Sequence, residues 1–296
     1  MDIPQFLKDR SRQIDAALES LLPSVQQRPT SIHEAMRYSL FAGGKRLRPG
    51  LCLEAGRITG AHESEVLPVA CAIEMIHTYS LVHDDLPALD NDDLRRGRPT
   101  VHKKFGEAIA ILAGDGLLTR AFQILAGTDA PESLSSKRMD AAREIAAAIG
   151  TVDGMIGGQV ADLEAQGART SAENLRYIHS SKTGALIRAS VRAGALMGEP
   201  SAEALAALTA YGEKIGLAFQ IVDDILDVTS SAEVLGKTPG KDRNTDKATY
   251  PALYGLDESR RKARQLIGEA IEALQNLDST ADSLRELARF TLERGA

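Results

Sequence analysis

No tryptophan occurs among the 296 residues, and aromatic side chains make up only 4% of them. Valine is also sparse, and no series of alternating strands separated by hairpin turns stands out, which argues against an all-β protein. The two cysteines, Cys52 and Cys71, are too few for a disulfide framework and have no metal-site spacing. They are expected to stay reduced and to pack as small core residues. No apolar run approaches the length of a membrane span; stretches such as Ala108 to Ala113 are far shorter. The first residues, MDIPQFLKDRSRQ, carry no apolar segment behind a basic one, so a secretory signal is not expected and the chain reads as cytoplasmic, with no membrane span. A Walker A loop is absent. An excess of positive charge is absent too: the formal net charge of −6 excludes a general nucleic-acid binder. At first sight the same number also disfavours an anionic substrate.

What is present is helical. Ala, Leu, Glu, Arg and Lys dominate, the residues that lose least on entering a helix. Ser31-Ile32-His33-Glu34 and Thr170-Ser171-Ala172-Glu173 have capping-box spacing, and Pro200-Ser201 leads into a further helix start. With 43% hydrophobic residues the chain can bury a substantial core. The expectation is an all-α fold of about ten or more helices, as one domain over residues 1–296.

Two aspartate clusters carry the chemistry. His77-Thr78-Tyr79-Ser80-Leu81-Val82-His83 runs into Asp84-Asp85-Leu86-Pro87-Ala88-Leu89-Asp90, and Ala218-Phe219-Gln220-Ile221-Val222 into Asp223-Asp224-Ile225-Leu226-Asp227. On a helix Asp223 and Asp227 share a face, with Gln220 beside Asp223. His77 lies two turns from Asp84 on one face. Pro87 ends or kinks the first helix, which lets Asp90 return toward Asp84. Most Asp pairs are solvated surface. These are flanked by Leu81, Val82, Leu86, Leu89, Ile221, Val222, Ile225 and Leu226, and unpaired charge among apolar neighbours is costly. An all-oxygen divalent-cation site explains them better. Mg²⁺ suits one or two carboxylates completed by substrate phosphates.

Such a site needs cations for the phosphates. Gly43-Gly44-Lys45-Arg46-Leu47-Arg48-Pro49 is a basic turn, Arg95 and Arg96 follow the first cluster, Lys182 sits before Thr183-Gly184, and Lys237, Lys241 and Lys247 follow the second. Each alone reads as a surface charge; beside both clusters, phosphate binding is the better account.

Asp84-Asp85-x-x-x-x-Asp90 and Asp223-Asp224-x-x-Asp227, with Gly-Gly-Lys-Arg-Leu-Arg-Pro upstream, resemble the trans-prenyltransferases. Gly157-Gly158-Gln159 with Asp162, His179 to Leu186 and Lys247 to Pro251 match further segments, so the resemblance covers essentially the whole chain. It implies the isoprenoid synthase fold, a helical bundle around a central cavity, usually as a homodimer. It implies condensation of isopentenyl diphosphate with dimethylallyl or geranyl diphosphate. By that resemblance Asp84, Asp90 and Asp223 would bind about three Mg²⁺ ions directly, with Mn²⁺ able to substitute, and Asp85, Asp224 and Asp227 would act through water or neighbouring groups. Arg95, Lys182 and Lys237 would hold the allylic diphosphate. Lys45, Arg48, His77 and Arg96 would hold isopentenyl diphosphate. Thr183 and Gln220 would lie near the developing cation. Tyr79 and Ser80, with the Pro87-Ala88 insertion, would limit the product to fifteen carbons, as farnesyl diphosphate.

Other readings are a synthase with a longer product such as geranylgeranyl diphosphate, a class I terpene cyclase, and a non-catalytic regulatory subunit. A cyclase has no need of the Lys45, Arg48 and His77 set, and a regulatory subunit is expected to lose an Asp motif. The net charge then reads differently: part of the acidity is the metal site itself, and the cavity mouth becomes locally positive once cations bind.

Overall fold

The computed structural model describes residues 2–127, 132–166, 171–229 and 249–293. It is helical almost throughout: α1 (Ile3–Leu21), α2 (Thr30–Leu40), α3 (Leu47–Ile58), α4 (Glu63–Asp84), α5 (Val101–Phe105), α6 (Glu107–Leu125), α7 (Glu132–Ile149), α8 (Met155–Glu164), α9 (Ala172–Ile178), α10 (Ala185–Met197), α11 (Ala202–Thr229), α12 (Tyr250–Tyr254), α13 (Leu256–Ala273) and α14 (Asp282–Glu293). A wide π turn, His179–Gly184, joins α9 to α10. The described sheet is one antiparallel ribbon, β1 (Leu94–Arg95) with β2 (Arg98–Pro99). Arg96 and Gly97 turn it with φ of 53° and 73°, as a two-residue hairpin requires.

Helix starts follow the local chemistry, with two corrections. Asp2 accepts from the Gln5 amide at 3.0 Å and caps α1, and Ser201 accepts from the Ala204 amide at 3.1 Å before α11. The Ser31 capping box does not form: α2 begins at Thr30, behind Pro29, whose fixed φ already suits a helix entry. At α9 the cap is Ser171, which accepts from Asn174 at 3.1 Å, one residue past the Thr170 start that the spacing predicts.

Two hydrophobic clusters form the interior. One gathers side chains of α1, α2, α4, α6 and α7, including Ile73, Ile76 and Leu117. The other gathers α10, α11, α13 and α14 around Tyr211, Ile215 and Leu284. Helices α3 and α10 belong to both, Cys52 and Ala193 facing the first cluster and Leu51 and Val191 the second. The two helices touch backbone to backbone: a Cβ on Gly194 would stand 2.0 Å from the Cys52 carbonyl oxygen. Both cysteines are buried and unpaired, and burial pushes the Cys71 thiol up to about 12.

By length and composition α4 and α6 could each cross a membrane. Helix α4 is two-thirds buried inside the protein (67% of its most apolar window). Helix α6 leaves Ile111 (45%) and Leu112 (50%) exposed.

One buried acid ties the N- and C-terminal helices to α3. Glu54, 1% exposed, accepts from Arg10 at 2.8 Å, Arg57 at 2.9 Å and Ser283 at 2.6 Å. Its removal takes a buried carboxylate from Arg10, Arg57 and Ser283 at once and unties the three helices there. Glu54→Ala is expected to lower the unfolding free energy by about 3 kcal/mol in urea titration.

Candidate active site

The first aspartate cluster closes a helix. Helix α4 stops at Asp84, ahead of Pro87, and the chain doubles back so that the Asp90 amide donates to the Asp84 carbonyl at 2.8 Å. The Asp92 amide reaches the Asp85 carbonyl at 3.2 Å. Asn91 makes the reversal with φ of 50°, a conformation that asparagine tolerates better than most residues. Asp84 and Asp90 are thereby neighbours without helical spacing. Burial, then the charges of Asp90 and Asp85, push the Asp84 carboxyl up to about 6, against the opposing pull of Lys182 and Arg95.

Asp85 points elsewhere. It is buried and gripped by Arg95, whose Nε stands 2.8 Å and 2.9 Å from its two oxygens and whose Nη2 also donates to it. Arg95, which sequence places on the allylic diphosphate, here holds Asp85, and it also lies 3.6 Å from Asp92. Lys182 is similarly engaged, donating to Asp162 of α8 at 2.7 Å. The acids keep both cations in place next to Asp84.

The basic turn splits into two roles. Arg46 is buried and structural: it donates to Glu74 at 2.7 Å, Asp15 at 2.8 Å and the Leu40 carbonyl at 2.7 Å. Arg48 faces His77, with Nη1 at 3.3 Å from Nε2. Arginine only donates, so Nε2 of His77 accepts and the imidazole is neutral. Burial, then Arg48, Arg96 and Arg95, holds the His77 pKa well below its ordinary value. Arg96 packs on the Gly44 backbone, where a Cβ would stand 2.6 Å from Nη1. Arg48 is lowered by burial and by Arg96 in spite of Glu74 and Asp223, and Arg96 by desolvation and by Arg46 and Arg95. The Nε of Arg48 is buried with no hydrogen-bond partner. Lys45 is exposed and stands over the Phe290 ring of α14 at 5.1 Å.

In the second cluster Asp223 is half-buried and Asp227 exposed, while Asp224 is buried. Gln220 turns to Asp224 rather than Asp223, donating to Oδ1 at 3.3 Å. The Tyr250 amide donates to Oδ2 at 2.9 Å, and His179 Nε2 lies 3.4 Å from the same oxygen. Burial, then Asp223 and Asp227, pushes the Asp224 carboxyl up to about 7. Burial and Lys182 hold His179 down to about 4. Thr183 sits half-buried in the π turn, a distortion that marks functional sites in helices. Tyr79 is buried on α4, edge-on to His83 at 5.7 Å, and Ser80 is tied to the His77 carbonyl at 2.8 Å. Lys237, Lys241 and Lys247 lie outside the described residues.

Sequence reasoning missed Glu74 and gave no separate role to His179 or Tyr250. Glu74 had a signal, a lone acid in the apolar run Cys71-Ala72-Ile73-Glu74-Met75-Ile76. Tyr250 acts through its backbone amide, which no side-chain pattern reveals.

Among the described residues no three His, Cys, Asp or Glu side chains gather closely enough to hold an ion alone. An oxygen-only pair such as Asp84 and Asp90 fits Mg²⁺, which keeps waters and takes phosphate oxygens to complete its shell. As a Mg²⁺ ligand the desolvated Asp84 would have to lose its proton. The Mg²⁺ concentration for half-maximal activity is therefore expected to rise about tenfold per pH unit below 6, as metal titrations at stepped pH would show.

A helical bundle carrying two carboxylate clusters beside desolvated cations is the arrangement of an isoprenoid synthase. The chain belongs to the polyprenyl synthetase family, whose model matches residues 29–287. It is 48% identical to the farnesyl diphosphate synthase of Escherichia coli, with 99% of each chain covered. It is 49% identical to the chloroplastic heterodimeric geranylgeranyl pyrophosphate synthase large subunit 1 of Arabidopsis thaliana, covering 94% of this chain and 75% of that one. The crystal structure of a FPP/GFPP synthase from Zymomonas mobilis superposes with a TM-score of 0.86 at 38% identity, covering 98% of this chain and 99% of that one.

Proposed function

We propose that this chain is a prenyltransferase that joins isopentenyl diphosphate to dimethylallyl or geranyl diphosphate, releasing pyrophosphate and making farnesyl diphosphate. The observation that carries the reading is the pair of opposed, desolvated charge sets. Arg48 and Arg96 crowd each other beside neutral His77, and Asp84 is desolvated against Asp90. Each set is costly in the free protein and is relieved by its own expected ligand, a diphosphate for the cations and Mg²⁺ for the acids.

Arg48, Arg96 and His77 bind the diphosphate of isopentenyl diphosphate, Lys45 reaching it from the rim; the orphaned Arg48 Nε supplies a donor. Asp84, Asp90 and Asp223 would hold Mg²⁺, which when bound would neutralise charge growing on the departing pyrophosphate. Lys182, fixed by Asp162, and Arg95, fixed by Asp85, present positive charge to the same leaving group. Thr183 and Gln220 present oxygens near the allylic carbon as it becomes cationic. The isopentenyl double bond attacks that carbon, and the final proton passes to the released pyrophosphate. Apolar walls keep water from the cation. A cyclase would release pyrophosphate from geranyl diphosphate alone; here release is expected to require isopentenyl diphosphate, which a pyrophosphate assay with each substrate omitted in turn decides.

Tyr79 supports the fifteen-carbon limit. It lies about one and a half turns below Asp84 on the wall that a growing chain follows. Tyr79→Ala is expected to yield products of twenty or more carbons with excess isopentenyl diphosphate; fifteen-carbon product alone on chromatography would refute that role. The exposed apolar residues Ile111 and Leu112 of α6 favour a homodimer built on that helix.

A further inference from the structure

Asp224 belongs to the second aspartate motif, yet the chain itself occupies it. The residue is 5% exposed, Oδ2 accepts from the Tyr250 amide at 2.9 Å and lies 3.4 Å from Nε2 of His179, and Oδ1 accepts from Gln220 at 3.3 Å. Few lone pairs remain for another partner. His179, also 5% exposed, stacks on the Tyr250 ring at 5.8 Å and 23°. Its Nδ1 is buried without a partner. A proton there would leave a buried donor unsatisfied, so the proton sits on Nε2, facing Asp224.

Three elements meet at this contact: the π turn, α11 and the first residue of α12. The π turn carries Lys182 and Thr183, and α11 carries Asp223. Such π turns are rare within helices. Close glycine contacts hold this one against its neighbours. A Cβ on Gly158 would stand 2.2 Å from the Lys182 amide nitrogen, and one on Gly216 would stand 2.9 Å from the Gly184 Cα. His179 adds a polar tie from the turn to the α11 carboxylate.

We infer that His179 is a positioning residue: with Asp224 and Tyr250 it forms a clasp that fixes Lys182 and Thr183 relative to Asp223, and Asp224 stays in that clasp when metal and diphosphate bind instead of turning to the ion. The inference rests on the prenyl-transfer reading for what the clasp positions. The clasp itself can be tested without it.

Two substitutions separate the donor from the ring. His179→Gln restores a donor near Nε2, and His179→Phe keeps the stacking surface alone. In calorimetric titration with a non-reactive allylic diphosphate analogue and Mg²⁺, His179→Phe is expected to bind about tenfold more weakly at an unchanged thermal midpoint, and His179→Gln within about threefold of the parent. Equal binding by parent and His179→Phe, or equal weakening in both variants, would overturn the inference. Amide hydrogen exchange supplies the second measurement. The Tyr250 amide is expected to exchange faster in His179→Phe than in the parent, and no faster in the parent when Mg²⁺ and the analogue are added. Faster exchange on loading would mean that Asp224 leaves the clasp. If the parent does not bind the analogue, the prenyl-transfer reading fails, while the comparison of free proteins still decides whether the clasp exists.

Discussion

Asp84→Asn is expected to lower kcat by about 10³-fold while making the metal-free protein more stable. The two effects have one cause. The carboxyl of Asp84 is pushed up to about 6 from an ordinary value of 3.8, by burial and by Asp90 and Asp85. A group whose pKa is raised by folding contributes stability that is present below its unfolded pKa and lost as pH rises through the folded one. Above about pH 6 the ionised Asp84 therefore costs the empty protein stability, by about 3 kcal/mol at most. The amide removes that cost. It also removes a charge that balances Mg²⁺ as the leaving group departs, and losing one element of transition-state electrostatics costs about 10² to 10³ in rate. Thermal melting in chelator at pH 8, beside steady-state kinetics, tests both halves. A variant that is slower and also less stable in chelator would mean that Asp84 is structural.

Arg48→Met is expected to raise KM for isopentenyl diphosphate by about 100-fold and leave KM for the allylic substrate within a few-fold. The guanidinium is desolvated, touches His77 at 3.3 Å, and keeps its buried Nε without a partner. Truncating a desolvated charge that meets an opposite one on binding costs about 2 to 5 kcal/mol. Methionine preserves the apolar stem, so the loss reports the charge. Separate titration of the two substrates distinguishes a dedicated second diphosphate site from general attraction, which would raise both KM values together.

The helical class was legible because composition and helix-start signals do not depend on partners far along the chain. The two aspartate motifs were legible because Asp beside Ile, Val and Leu is costly without a purpose. What each carboxylate does was less so. Asp84, Asp85, Asp223 and Asp224 look alike in sequence, yet Asp85 is gripped by Arg95 and Asp224 by Tyr250 and Gln220. Adjacent helical residues point about 100° apart, so a pair cannot serve one face. Arg46 and Arg48 differ in the same way, one buried against Glu74 and one beside His77. The π turn was not legible at all, since His179-Ser180-Ser181-Lys182-Thr183-Gly184 reads as ordinary helix and the extra residue is imposed by packing against α8 and α11.

The most direct measurement is turnover of labelled isopentenyl diphosphate with geranyl diphosphate, with and without Mg²⁺, followed by product chromatography. The account predicts a fifteen-carbon diphosphate and one pyrophosphate per condensation, formed only when the metal is present. Absence of condensation with metal and both substrates supplied, or equal condensation after chelation, would contradict it.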